Sequence, residues 1–298
     1  MNFFEFLDKL KKNYNSLILY CLLDRIPIIV LGEDSEQVDQ FLIDLSDLIH
    51  FRKEYVFYTD FISNSEYNNL ILNENIDFNS QRSHIRCPCN VARKALSQIE
   101  DINSWLIGME LPGQKDHFNY LKNLLKKKAN KVLFIIISAN DISIEVEGLD
   151  PKLIDLTLEH NIFRKISQDT EKSIAKMKRV LSEKIQVNHL DKELIKTLLD
   201  FEVEKNELKK NIVKGEIQNF YSGSKRAFFI LSRLSLLNNV EINTNIGSKT
   251  LLETIDYEEA PISRVLSFIT KEWRENFSVL VENGKKAFMG DKIVSLWG

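Results

Sequence analysis

Ile26-Pro27-Ile28-Ile29-Val30-Leu31-Gly32-Glu33-Asp34-Ser35-Glu36-Gln37-Val38-Asp39 is the stretch whose reading decides the fold. A run of aliphatic and β-branched residues stops at Gly32. An amphipathic helix follows, with Val38, Phe41, Leu42, Leu45, Leu48 and Ile49 on one face. Lys131-Val132-Leu133-Phe134-Ile135-Ile136-Ile137-Ser138 has the same continuous apolar character and is the clearest strand in the chain. Such runs predict strands buried on both faces, as in a parallel sheet covered by helices.

Working outward, one or two helices are expected over residues 3–24, a helix over 36–49 and a strand over 54–60. Ser63 to Ser83 is polar and Asn-rich and reads as an irregular insertion. A helix over Asn90–Ile102, a strand over Trp105–Leu111, a helix over Phe118–Lys128 and a fifth strand over Asn161–Ile166 complete the alternation. Strands alternating with helices predict a three-layer α/β domain over residues 1–168. From Asp169 the pattern becomes helical, with Ile174, Met177, Val180, Leu181 and Ile185 at helical spacing. Further helices are expected at 190–212, 224–238 and Thr244–Ile255, so that residues 169–258 form a helical domain. Residues 259–298 read as a C-terminal extension: a helix over Ile262–Phe277 and a hairpin turning at Asn283-Gly284.

The strand–Gly–helix unit stands where a phosphate-binding loop, G-x-x-x-x-G-K-[ST], would stand. Laid on Gly32, that motif has Gln37 for its second glycine, Val38 for its lysine and Asp39 for its Ser/Thr. Glu33, Asp34 and Glu36 bring carboxylates to the spot where a phosphate needs positive charge. At ~4 Å and an effective dielectric of ~20, each like-charge contact opposes an anion by about 4 kcal/mol. The layout is that of a nucleotide site and the chemistry is not, so no cofactor is expected.

An α/β core followed by a helical lid resembles the order of an AAA+ module, and several positions are similar to that family's landmarks. Gly32 occupies the start of the Walker A loop. The strand ending Ile107-Gly108-Met109-Glu110 resembles a Walker B strand in which Met109 replaces the metal-binding aspartate and Glu110 survives. Ser138-Ala139-Asn140 looks like the end of a sensor-1 strand, with Asn140 in the sensor place. Ser222-Gly223-Ser224-Lys225-Arg226 is similar to the start of a sensor-2 helix, with Arg226 as its arginine. The resemblance implies a P-loop NTPase-like parallel sheet, a lid, and a degenerate site at Gly32, Glu110, Asn140 and Arg226. Gly32-Glu33-Asp34 before an acidic amphipathic helix is closest in style to the delta-type subunits of clamp loaders. These act through protein contacts, which implies a non-catalytic subunit in a hetero-oligomeric assembly associated with DNA replication. An unconventional nucleotide-binding switch or ATPase and a direct nucleic-acid binder are the alternatives.

Other residues carry weaker signals. Arg82, Arg86, Arg93 and Lys94 form one basic run and Lys126, Lys127 and Lys128 another; joined in space, they could contact phosphates. His84, Cys87 and Cys89 are three soft donors in six residues, but zinc sites want four ligands in wider pairs. The apolar N-terminus, with Phe3, Phe4, Phe6, Leu7 and Leu10, is read as packing on the core or as a docking helix. The chain has 298 residues, 44% hydrophobic and 28% charged, and a net charge of -3. That excludes a global electrostatic footprint for nucleic acid. No apolar run reaches the ~18–20 residues of a membrane span, and three cysteines indicate a reducing, cytoplasmic setting.

Overall fold

The computed structural model describes residues 6, 10, 12–76, 81–111, 115–138, 142–188, 202–242 and 244–282. Asn140, the Asn283-Gly284 turn, residues 190–201 and the N-terminal Phe3, Phe4 and Leu7 lie outside the described residues.

Helix α1 (Lys12–Leu23) leads into strand β1 (Ile28–Gly32), and α2 (Ser35–Leu48) leaves it. Strand β2 (Lys53–Val56), helix α3 (Asn64–Ile76), strand β3 (Ser83–Cys87), helix α4 (Ala92–Gln98) and strand β4 (Trp105–Glu110) follow. Helix α5 (Lys115–Lys126), strand β5 (Val132–Ile137) and strand β6 (Ile142–Glu147) complete the sheet. Its order is β2-β3-β4-β1-β5-β6. All pairs are parallel except β5–β6. The chain then runs through α6 (Thr157–Asn188), α7 (Glu202–Asn239), β7 (Ile246–Gly247), α8 (Ser248–Thr254), α9 (Ile262–Trp273) and β8 (Val281–Glu282).

β1 shows why the sheet is central. All five of its residues are buried. Ile28 and Val30 enter one core and Ile29 and Leu31 the other, one on each face, as the period of two in a strand requires. The second core holds Tyr67, Leu96 and Leu125 from α3, α4 and α5, around Trp105 and Phe134. The first continues without a break from α1 and α2 into α6, α7, α8 and α9. The architecture is thus α/β, with a mostly parallel sheet and helices on both faces.

Several expectations are corrected. Asn161–Ile166 is helical, inside α6: Leu158, Ile162 and Ile166, spaced four apart, form its buried face. The expected domain boundary at residue 168 therefore falls within a continuous helix. Most of Ser63–Ser83 is α3 rather than an irregular insertion. Strands β3 and β6 are additional to the expected set. Phe6 and Leu10 are buried, with the Phe6 ring 4.2 Å from that of Phe41, so the described part of the apolar N-terminus packs on the core.

α9 is bound to the α/β layers by charges rather than by apolar contact alone. In its first turn Arg264 donates from Nε and Nη2 to Glu159 of α6 at 2.9 and 2.8 Å, and from Nη1 to Asp24 at 2.6 Å. In its last turn Glu272 accepts from Arg52 at 2.6–3.1 Å, and Arg52 also donates to the carbonyls of Leu22 and Leu23 that close α1. These side chains are at most 3% exposed. Removing one member leaves its partner charged and buried. Arg264→Ala is expected to lower the unfolding free energy by about 3–5 kcal/mol in urea denaturation at neutral pH.

Candidate functional site

The pairing of β1 with β4 and β5 sets Gly32 beside Glu110 on one side and Ile137 on the other. The first residue after Glu110, Leu111, donates its N–H to the Gly32 carbonyl at 2.8 Å. At this carboxyl-terminal edge of the sheet α2 begins, and its first amides face the position a phosphate would take. Here the protein's own carboxylate occupies them. Asp34 is the N-cap, and its Oδ1 accepts from Glu36 N at 3.0 Å and Gln37 N at 3.3 Å. An aspartate at this position satisfies the orphan amides and complements the helix dipole.

The remaining motif positions are packed in turn. Val38, where the lysine would be, is 1% exposed. A Cβ at Gly32 would come within 2.6 Å of Val38 Cγ2, so the glycine is fixed by the close approach of the helix to its strand. Asp39, where the Ser/Thr would be, accepts at Oδ1 from Cys89 N at 2.9 Å. A Cβ at Gly108 of β4 would meet Cys89 Sγ at 2.8 Å and Asp39 Oδ1 at 3.0 Å. Burial first, and then Asp39, push the Cys89 thiol up to about 12, which keeps it a neutral filler rather than a nucleophile. Glu33, Asp34, Glu36 and Glu110 remain exposed around this packed edge.

Arg226 does not join it. Ser222–Arg226 lies in the middle of α7 and not at a helix start. The Arg226 guanidinium donates to the Ile255 carbonyl, from Nε at 3.0 Å and also from Nη2. It lines a different cavity, with Lys165, Glu216 and Tyr257. Of the four degenerate-site positions, only Gly32 and Glu110 are neighbours among the described residues.

The basic run at 82–94 disperses for a similar reason. Arg82 is buried and donates to the backbone carbonyls of Glu272, at 3.1 Å, and Glu74. Arg86 pairs with Glu54 at 2.7 Å. Lys94 lies 4.1 Å from the centre of the Tyr58 ring, and Arg93 is exposed on α4. In the second run Lys126 pairs with Glu147 at 3.1 Å and Lys128 donates to the Ile99 carbonyl, while Lys127 is exposed.

His84, Cys87 and Cys89 do not converge. On β3, Ile85 and Cys87 face the core that holds Trp105, whereas His84 faces Ser46 of α2. Among the described residues no group of three His, Cys, Asp or Glu side chains is placed to hold a metal ion. Ser46 donates its single proton to Glu54 Oε1 at 2.6 Å, so the 2.6 Å contact with His84 is donated by His84 Nε2. The imidazole therefore cannot act as the base for Ser46, as nucleophilic catalysis would need. Its Nδ1 is buried without a hydrogen bond.

The larger unexpected feature is at the opposite end of the strands. A cavity of about 520 Å³ opens there, lined by Arg25, Lys127, Lys128, Lys131, Lys271 and Arg274 among others. Sequence proximity accounts for three of these lysines. Nothing local in the sequence joins them to Arg25 or to the end of α9.

Comparison with protein-family models, with curated proteins and with solved structures returns no match to this chain. Among the described residues no helix is long and apolar enough to cross a membrane.

Two measurements test these assignments. Gly32→Ala should destabilise the fold by about 1–3 kcal/mol through overpacking against Val38, read from urea denaturation. Burial, reinforced by Arg52, pushes the His84 pKa down from 6.5 to about 3. The unfolded chain thus takes up a proton below pH 6.5 that the folded chain refuses until about pH 3, and stability falls as pH drops through that window. The slope from this one group is about 1.4 kcal/mol per pH unit. His84→Gln should show a correspondingly flatter decline between pH 6 and 4.

Proposed function

We propose that this chain is a non-catalytic, AAA+-like subunit that works through protein–protein contact, with a P-loop-type core in which the nucleotide site has become a structural joint. The observation that carries the reading is the self-capped start of α2. Asp34 takes the amides that would hold a phosphate, Val38 fills the place of the lysine from inside the core, and Asp39 is engaged by Cys89 N. Mg²⁺–ATP binding in P-loop proteins depends on the lysine, the Ser/Thr and an aspartate on the neighbouring strand. The corresponding positions here are Val38, Asp39 and Met109.

The strand order supports the architectural half of the proposal. β1, ending in Gly32, lies between β4, ending in Glu110, and β5, after which Asn140 follows in sequence. This brings the Walker A-like and Walker B-like strand ends together at one edge. The helices from α6 onward would correspond to a lid, although Arg226 points away from the edge that a lid arginine would complete. The specific form of the proposal is a subunit of a clamp-loader-like or other replication-associated assembly. The free thiols of Cys21, Cys87 and Cys89 are consistent with a reducing cytoplasm.

The deciding experiment is titration of the full chain with a fluorescent ATP analogue, with and without Mg²⁺. No Mg²⁺-dependent binding that responds to Gly32→Ala is expected up to millimolar nucleotide. Micromolar, Mg²⁺-dependent binding that is lost in Gly32→Ala would overturn the reading.

A further inference from the structure

We propose that the cavity at the amino-terminal end of the strands binds a small polyphosphorylated anion. The site is independent of the degenerate nucleotide edge, from which the length of the sheet separates it. Its walls come from the turn between α1 and β1, the turn between α5 and β5, and the end of α9. At about 520 Å³ it falls within the range of small-molecule sites rather than of a surface track for a polymer.

The charge in it is not balanced by the described residues. Arg25 donates to the Ser83 carbonyl at 3.2 Å and pairs with Glu74, and Lys128 donates to the Ile99 carbonyl. The side chains of Lys127, Lys131, Lys271 and Arg274 make no hydrogen bond or ion pair among the described residues. The two carboxylates of the lining do not serve them: Asp24 is held by Arg264, and Asp101 accepts from the backbone and side chain of Asn103. Elsewhere on the surface several lysines are paired, Lys122 with Glu145, Lys165 with Glu216, Lys210 and Lys214 with Asp47, whereas isolated ones such as Lys152 are not gathered into a cavity with other cations.

Helix ends do not account for the excess. α1, α5 and α9 all finish at this cavity, and each C-terminus carries roughly half a negative charge. The end of α1 is already closed by Arg52 on Leu22 and Leu23. Four cations unengaged among the described residues, set against the two remaining ends and the Asp101 carboxylate, still leave a net positive field, which a concave low-dielectric wall concentrates. Arg25 and Arg274 also sit at φ of 60° and 62°, a left-handed backbone that costs energy for a residue with a side chain. Both residues line one space, Arg25 with its guanidinium held by Glu74 and the Ser83 carbonyl and Arg274 with no side-chain partner among the described residues.

The test uses the full chain and inorganic tripolyphosphate, followed by calorimetric titration and thermal melting. Saturable binding is expected, weakening by about tenfold or more in Lys127→Gln/Lys131→Gln/Lys271→Gln and falling with added salt. Lys249→Gln, at a surface pair with Glu253, should bind as the parent does. Without ligand the triple variant should melt at or above the parent temperature, because like-charge repulsion is relieved; this keeps loss of binding distinct from loss of fold. No binding, or equal weakening by both variants, would overturn the proposal. So would binding of a single-stranded oligonucleotide that tripolyphosphate fails to displace, since that ligand would be a nucleic-acid strand.

Discussion

The arginine at the start of α9 is the constraint on which the C-terminal half of the structure depends. Arg264 is buried, and burial alone would push a guanidinium toward its neutral form; the Coulombic pull of Asp24 and then of Glu159 outweighs it, so its pKa is raised. Glu159 is pushed up by its own burial against the pull of Arg264. Neither ion tolerates the absence of the other, because several kcal/mol of desolvation per ion are recovered only when the geometry is met. The same logic applies at the other end of the helix, where Glu272 and Arg52 are paired and buried. α9 is thereby registered at both ends against α1 and α6, and a lid-like swing of these helices over the sheet edge would have to expose or orphan buried charges.

That constraint also explains which parts of the fold were legible in the sequence. β1 and β5 are read directly from their apolar runs because both faces are covered. β3 is hidden because its outer residues are polar for tertiary reasons: His84 reaches Ser46, and Arg86 reaches Glu54. Ser-His-Ile-Arg-Cys looks like a ligand cluster or a basic run until the two faces are separated. β6, by contrast, carries a plain alternation, with Ile142, Ile144 and Val146 packed inward and Glu145 and Glu147 meeting Lys122 and Lys126. Asn161–Ile166 misleads because a short apolar cluster fits either period, and only the continuation from Leu158 to Ile166 selects the helix.

The site is legible to a different extent. Gly32 and the absence of the motif lysine are sequence facts, and the close packing of Val38 on Gly32 gives them a structural cause. Asp39 engaging the amide of Cys89 joins residues fifty positions apart, and no local pattern announces it. Arg226 illustrates the limit of a motif laid on a helix without its context. The residue type and rough position suit a sensor arginine, yet α7 continues through it and the guanidinium closes the end of α8 at Ile255.

The two ends of the sheet then differ in a way that a net charge of -3 conceals. At the carboxyl-terminal edge Glu33, Asp34, Glu36 and Glu110 cluster near the start of α2, and the positive helix end is answered by the chain's own Asp34. A ligand anion arriving there would meet amides already engaged and a field of the wrong sign. At the amino-terminal end, Arg52 already closes α1, yet cations whose side chains have no partner among the described residues remain beyond it. A protein that used its helix N-termini for phosphate would instead carry positive charge at the first of these edges. The same backbone topology therefore presents its positive field at the edge that its strand-to-helix turns do not form, and side chains brought together only by the folding of α9 onto the sheet create it.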